Sequence, residues 1–508
     1  MQTKKYYITT PIYYVNDIHH LGHAYTSMAV DIISRFKKLN NFDVFFSTGT
    51  DEHGQKVESS AKEKKIAPKD FTDIVSKRFY ELTEKLKLVN NDFIRTTEAR
   101  HKKEVLNIWD TLIKNKEIYL GEYEGWYSVR DESFINENDI LTDKKNNKIG
   151  PSKDILKKIK EPSYFFKLSK WQKSLLDFYD KNKNFVKPIS RLNEVKRFVE
   201  GGLEDLSISR TSFNWGIKVP NNPNHVIYVW LDALFNYIST LGGIKSRNFN
   251  KFWPPNSHIV GKDILRFHAV YWPAFLMASG LKPPKNIFAH GWWTINGEKM
   301  SKSLGNVIDP NYLIDTYGLD QIKYFLFREI PFGEDGNFSE ELLVSRINSD
   351  LANDYGNLVQ RVLSMLHKYN EGIVPKANKL NENDQLLLKL PEETIKEINV
   401  LMTNFELNNV LEKIWKIIKK ANSYVDINQP WNLYKENNIH RLNTVLNILL
   451  NTIYKIAILN QPFLPISSKN ILDLLNIKNE ISLNFINKNL KVGLSLKQPK
   501  VIFPRIIR

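Results

Sequence analysis

Apolar and polar positions change period twice in the first fifty residues. Residues 4–12, KKYYITTPI, are rich in β-branched and aromatic side chains and predict a strand. Residues 21–39 carry Leu21, Ala24, Met28, Ile32, Ile33 and Phe36 at helical spacing, which predicts an amphipathic helix. Residues 42–48, FDVFFST, predict a second strand. Strand, helix and strand within about 40 residues form a parallel βαβ unit, the opening of a doubly wound nucleotide-binding sheet.

Beyond residue 117 the pattern changes. YLGEYEGWYSV (119–129) alternates as a strand does, and INENDILTDKKNNKIG (135–150) is polar and reads as loop. An inserted module over residues 118–224 is the expectation. The α/β pattern then returns. HVIYVW, SHIVG and NIFAHGW read as strands, and KDILRFHAVYWPAFLMASG as one helix. From residue 339 onward the chain reads as helices, opened by Ser339 as N-cap with Glu340 and Glu341 in the first turn. Val410, Leu411, Ile414, Trp415, Ile417, Ile418 and Ala421 keep the helical period, as do Leu442, Val445, Leu446, Leu449 and Ile453. The expected fold class is α/β: a doubly wound parallel, Rossmann-like domain over 1–117 and 225–338, interrupted by the module and followed by an all-α bundle over 339–508.

Composition narrows the partners. Lys and Arg number 72 against 56 Asp and Glu, a net charge of +16, which favours a polyanion such as nucleic acid. The 508 residues include no cysteine, which excludes disulfides, thiolate zinc sites and cysteine nucleophiles. The N-terminus lacks a signal-peptide pattern, and no run of 18 apolar residues occurs, so the expectation is a cytoplasmic protein without a membrane partner.

Two stretches carry candidate chemistry. The first is YYVNDIHHLGHAYTS (13–27), which places His20, Gly22 and His23 at the turn between the first strand and first helix. Ligands of doubly wound sheets bind at the C-terminal ends of strands, and a helix N-terminus attracts phosphate. Gly22 would let a ring or phosphate approach the backbone, and His20 and His23 would share a helix face and donate to phosphate. Alone, H-x-G-H reads equally well as a structural histidine pair. The second stretch is GEKMSKSLGN (297–306), with Lys299 and Lys302 flanked by Gly297 and Gly305. Alone, it reads as a solvated basic loop.

Together, in this order and context, the two resemble the HIGH-type and KMSKS motifs of class I aminoacyl-tRNA synthetases, which jointly hold ATP. Further stretches resemble the methionyl-tRNA synthetase family over essentially the full length: GTDEHG (49–54), LSISR (206–210), YVWLDALFNY (228–237), VGKDILRFHAVYWPA (260–274) and GNLVQR (356–361). The chain has no room for the long editing insertions of the valyl, leucyl and isoleucyl enzymes. It departs from many relatives in the module, where Ser128 and Asp131 of GWYSVRD stand at positions used for zinc ligands; it resembles the zinc-free branch.

The resemblance implies a two-step reaction: methionine and ATP give methionyl-adenylate and pyrophosphate, then methionine passes to the 3′ end of tRNA(Met), initiator tRNA included. It implies ATP contacts at His20, Gly22, His23, Gly261, Asp263 and Lys302, with Lys299 and Lys302 as a charge clamp and Mg²⁺ accompanying ATP. Gly297 and Gly305 would let that loop move, and Asn296-Gly297 suits a hinge. It implies a methionine pocket of Ile12, Tyr14, Trp230, Ala233, Leu234, Tyr237, Ile264 and His268, with Asp51 pairing the α-ammonium. A thioether suits an apolar, aromatic wall. Core packing is the plain alternative for Trp230 and Tyr237, and a satisfied core histidine for His268. Glu52 and His53 read equally as ligand contacts or as their support. In the bundle it implies anticodon contacts at Asn357, Arg361 and Trp431, the last placed at a helix end by Pro430. Trp431 could also cap the core. The chain stops at VIFPRIIR with no obvious appended domain for dimerisation or extra tRNA binding, so a monomer is expected. Two other readings are a nucleotidyltransferase with a small acceptor, against which the bundle and the positive charge speak, and a non-catalytic RNA-binding relative, against which the retained histidines and lysines speak.

Overall fold

The computed structural model describes residues 3–15, 19–130, 133–135, 139–300, 306–478 and 482–507. The chain divides into two compact units. One comprises Lys5–Val30 and Val44–His290; the other comprises the segments up to Lys4, Asp31–Asp43 and from Gly291 onward.

The first unit is built on a six-stranded sheet in the order Asp92–Arg95, Asp43–Asp51, Lys5–Tyr14, Ser257–Gly261, Ile287–His290, Val186–Lys187. Parallel pairs within it set Ile8 opposite Ser257, His258 opposite Ile287 and Ser47 opposite Asp92. Residues 6–11 of the central strand are all buried, as expected of a sheet covered on both faces. The helix Leu21–Leu39 has the predicted bounds, and every apolar position named for it is buried. The inserted module is not wholly separate, because its Val186–Lys187 forms an edge of this sheet beside Ile287–Phe288. The rest of the module centres on a long antiparallel pair, Ile118–Ser128 against Lys157–Phe166, in a four-stranded sheet. The stretch expected as loop holds a small ribbon, Leu141–Thr142 with Lys148–Ile149. The Asp143 carboxylate closes its turn by accepting from the backbone N–H groups of Lys145 and Asn147.

Three predicted elements are corrected. HVIYVW is not one strand. The strand ends at Ile227 and a helix, Val229–Leu234, begins. A short apolar β-branched run does not distinguish buried strand from buried helix. KDILRFHAVYWPAFLMASG is not one regular helix but a 3₁₀ turn (Lys262–Ile264), a π segment (Phe267–Tyr271) and an α-helix (Trp272–Ala278). Pro273 has no N–H to close an α-turn, and the backbone re-phases ahead of it. NIFAHGW breaks after His290, and Trp293–Ile295 joins a different, three-stranded sheet with Glu298–Lys299 and Gly336–Asn337.

The second unit is mainly helical. Ser339 caps Glu340–Arg346 as predicted, its hydroxyl accepting from Leu342 N–H. A π segment, Ile347–Gly356, runs directly into the helix Asn357–Asn370. Helices Glu382–Asn404, Leu407–Asn428, Pro430–Lys435, Ile439–Asn460 and Pro465–Leu474 follow. Ile439–Asn460 is long and apolar enough to cross a membrane by length and composition, yet 94% of its apolar window is buried; it is the core of the bundle. Lys323 and Asp31, both wholly buried, form an ion pair at 2.5 Å that Arg35 extends at 2.8 Å.

Candidate active site

The turn after the central strand is organised by its histidines. His20 stands immediately before the helix and His23 is its third residue. The Gly22 N–H donates to His20 Nδ1 at 3.1 Å, and the His20 N–H donates to His23 Nδ1 at 3.1 Å. This is the reciprocal logic of a capping box, written with two imidazoles. Both Nδ1 atoms accept, so both rings carry their proton on Nε2. The rings lie 3.9 Å apart, with His23 edge-on to Tyr13 and Phe79. Burial, then the neighbouring His20 and His19, holds His23 well below the usual histidine range, so it is neutral at physiological pH. The histidines therefore occupy cap and first-turn positions and do not simply share a helix face. A Cβ at position 22 would meet the His20 ring at 2.9 Å, so a side chain there would displace that imidazole.

Residues read as the amino-acid pocket lie on four segments. Ile12 and Tyr14 are half-buried at the end of the central strand, and Asp51 is buried at the end of the next. Trp230, Ala233 and Leu234 lie on the short helix Val229–Leu234, with Tyr237 just after it. Trp230, Leu234, Tyr237 and Ile264 share one apolar cluster. The Trp230 ring stacks on Phe267, centroids 3.6 Å apart and planes 8° apart. His268 is wholly engaged by protein. Its Nδ1–H donates to the Ile264 carbonyl at 2.9 Å, which leaves Nε2 to accept from Tyr237 O–H at 2.7 Å. Burial lowers its pKa to about 4. His268 thus has the satisfied geometry of the plain alternative. Gly261 ends the strand Ser257–Gly261, and Asp263 is exposed in the 3₁₀ turn that follows.

Glu52 and His53 are both engaged by protein groups. The Glu52 carboxylate is fully buried and accepts from Arg95 Nε at 2.6 Å, Arg95 Nη2 at 3.0 Å, Thr50 Oγ1 at 2.8 Å and Thr97 Oγ1 at 2.5 Å. His53 Nδ1 lies 2.6 Å from Asp232 Oδ2.

The lysine-bearing stretch opens with a hairpin rather than a hinge. Asn296 and Gly297 have φ of 52° and 79°, the two-residue turn that joins antiparallel strands. Thr294 pairs with Lys299 across it, and Gly297 N–H donates to Asn337 Oδ1 at 3.1 Å. The Lys299 side chain and residues 301–305, Lys302 and Gly305 included, lie outside the described residues, as does Asp131 of the module.

In the bundle, Asn357 and Arg361 face a cleft of about 660 Å³ that Asn353, Asp354, Lys419, Asn422 and Asp426 also line. Arg361 donates to Asp426 at 3.1 Å and to Asn422 at 3.3 Å. Trp431 is half-buried in the first turn of Pro430–Lys435 and is not among the residues lining that cleft.

Comparison with known proteins decides the family. A family profile described as "tRNA synthetases class I (M)" matches residues 6–144 and 140–363, and one described as "Anticodon binding domain of methionyl tRNA ligase" matches 374–508. The chain is 53% identical over 509 residues to methionine–tRNA ligase of Rickettsia felis, covering 98% of each.

The chain belongs to the methionyl-tRNA synthetases.

Its activity is the ATP-dependent ligation of methionine to tRNA. The methionine–tRNA ligase of Caldanaerobacter subterraneus subsp. tengcongensis is 45% identical, covering 99% of this chain and 79% of that one. The structure is similar to Mycobacterium tuberculosis methionyl-tRNA synthetase in complex with methionyl-adenylate, with a TM-score of 0.97, 43% identity and coverage of 99% and 100%. Sequence reasoning about this synthetase missed the buried residues packed around Tyr237. Tyr7 donates to the Tyr237 carbonyl at 2.7 Å. His258 lies 2.7 Å from Thr9 Oγ1 and accepts from Trp272 Nε1 at 3.2 Å. Phe267 was legible only as the neighbour of His268. Arg210, buried in the LSISR stretch, lies 4.6 Å over the Tyr228 ring, immediately before the pocket helix.

Proposed function

We propose that this synthetase forms methionyl-adenylate at the strand–helix turn and passes methionine to tRNA(Met), initiator tRNA included, with its described residues acting by position and charge. The observation that carries the reading is the histidine box: two neutral imidazoles carrying Nε2–H at a helix N-terminus. In the first step the methionine carboxylate attacks the α-phosphorus of ATP and pyrophosphate leaves. No protein nucleophile is required, only alignment and donors for the growing phosphate charge. His20, Gly22, His23, Gly261 and Asp263 are assigned to ATP, and Lys299 and Lys302 to the phosphate charge. In the second step a terminal ribose hydroxyl attacks the acyl carbon and AMP leaves.

Asp51 is assigned to the methionine ammonium, and Ile12, Tyr14, Trp230, Ala233, Leu234, Tyr237 and Ile264 to the side chain, with His268 holding the Tyr237 hydroxyl. Asn357, Arg361 and Trp431 are assigned to the anticodon. The open cleft and its Arg361 guanidinium support the first two; an indole at a helix end suits stacking on an unpaired base. ATP carries Mg²⁺ on its phosphates, which neutralises part of their charge. Among the described residues no group of three His, Asp or Glu is placed to hold a metal. A chain without zinc is supported by the absence of cysteine and by Ser128, whose hydroxyl donates to Asp154 at 2.7 Å. A cytoplasmic monomer completes the reading.

The test is a split in kinetics. Trp230→Ala should raise KM for methionine and leave KM for ATP nearly unchanged. Lys302→Ala should lower the rate constant of adenylate formation by about 10²–10³ and leave methionine affinity alone. Equal effects of both variants on both substrates would overturn these assignments.

A further inference from the structure

The helix that carries Trp230, Ala233 and Leu234 has only six residues, and no side chain caps its N-terminus. A helix this short has no stability of its own, so its pose is set by what it packs and bonds to. Between its pocket residues sits Asp232, wholly buried. Oδ2 lies 2.6 Å from His53 Nδ1, and Oδ1 lies 2.7 Å from His101 Nε2. A carboxylate accepts at both oxygens, so each imidazole donates an N–H. Burial opposes the charge, but the two histidines overcome it and hold the carboxyl at about 2. The anion is therefore kept.

The two histidines come from different parts of the unit. His53 follows Asp51 by two residues, and its ring packs edge-on against Trp215, whose indole N–H donates to the Glu52 carbonyl at 2.6 Å. That anchors the backbone beside Asp51. His101 lies on the helix Ala99–Lys114, and its Nδ1 is 3.0 Å from Ser239 Oγ, just past Tyr237. Ser239 in turn donates to the Phe235 carbonyl at 3.0 Å. One buried carboxylate thus joins the short pocket helix to the segment bearing Asp51 and, through His101, to the turn bearing Tyr237. Neither imidazole is left over for a ligand on the side that faces Asp232.

We infer that Asp232 is a positioning residue for amino-acid selection: it fixes the wall formed by Trp230, Ala233 and Leu234 relative to Asp51 through His53 and relative to the Tyr237 turn through His101. The inference rests on the methionine-site reading of those residues. A fixed distance between ammonium partner and side-chain wall measures side-chain length. Loss of the tie should therefore blunt discrimination between methionine and ethionine, which is one methylene longer. Small displacements of binding groups have large kinetic effects, and one methylene is worth about 10- to 200-fold where the wall is firm.

The experiment is pyrophosphate exchange, with methionine or ethionine varied at saturating ATP and with ATP varied at saturating methionine. Asp232→Leu and His101→Leu should each raise KM for methionine about tenfold and reduce the methionine-to-ethionine ratio of kcat/KM about fivefold or more, with KM for ATP within about twofold. His101→Gln keeps a donor for Asp232. Asp232→Asn keeps one acceptor, and the imidazole facing its amide can move its proton to the other nitrogen. Both conservative variants should stay within about threefold of the parent. If Asp232→Leu does not fold, His101→Leu carries the test, because Asp232 then keeps His53. An unchanged KM and an unchanged ratio, with loss confined to kcat or to the yield of folded protein, would overturn the inference. Trp230→Ala is the control. If it leaves KM for methionine unchanged, the pocket reading itself fails and the inference with it.

Discussion

On the proposed reading His23 has a job for each of its two nitrogens, and two substitutions separate them. Nδ1 accepts from the His20 backbone N–H at 3.1 Å and completes the cap; the proton is on Nε2. Asparagine places an amide oxygen near the position of Nδ1 and nothing near Nε2. Glutamine places an amide nitrogen near Nε2 and leaves the cap unmade. His23→Asn should therefore keep the helix start and lose the donor. Removal of one preorganised donor to developing charge costs about 2.7–4 kcal/mol, or about 10²–10³ in rate. His23→Gln should keep much of the rate. Its lost cap costs about 1 kcal/mol, a fall of about 2–4 °C in Tm for a unit of this size. The assay is single-turnover formation of methionyl-adenylate, with thermal melts on the same preparations. His23 lies well below the usual histidine range because of its burial and its histidine neighbours, so its ionisation should put no step in the rate between pH 6.5 and 8. If His23→Asn formed adenylate at the parent rate, or if both variants lost rate equally, the division of roles would be refuted.

Trp431→Ala should weaken tRNA charging by about 1–3 kcal/mol, the value of a stacked base, while adenylate formation without tRNA stays unchanged; equal loss in both assays would assign the indole to folding. Purified protein should contain no stoichiometric zinc, and one tightly bound zinc per chain in elemental analysis would contradict this. His268 is 1% exposed and held at about 4 by burial against an ordinary value of 6.5. The unfolded chain then takes up the proton first, so this contribution is intact above pH 6.5 and falls away as pH drops towards 4, by about 2 kcal/mol at pH 5. His268→Gln should shrink the difference between urea melts at pH 7.5 and 5.0 by about that amount; an undiminished difference would show that another group is responsible.

What was legible in the chain followed its strongest periodicities. The helix Leu21–Leu39 is readable to its last residue because one apolar stripe runs its whole length. Ser339 and Pro430 mark real helix starts because an N-cap and a missing N–H are local chemistry. The segment 262–280 is misread as one helix because its apolar residues are compatible with three helical pitches, and only Pro273 hints at the change. Asn296-Gly297 carries the right turn signal, but the same residues serve hinge or hairpin until their partner strand is seen. At the site, the motif histidines are legible by type and spacing, whereas their capping geometry is not. The Asp232 tie spans residues 53, 101 and 232, and no local pattern announces a bond between positions so far apart.

The central claim is that this turn and its aromatic pocket activate methionine. The most direct measurement is ATP–pyrophosphate exchange by the purified chain with each of the twenty amino acids in turn. Rapid exchange with methionine, and none of comparable kcat/KM with any other, is the predicted result. No exchange with methionine, or a higher kcat/KM with another amino acid, would contradict the account.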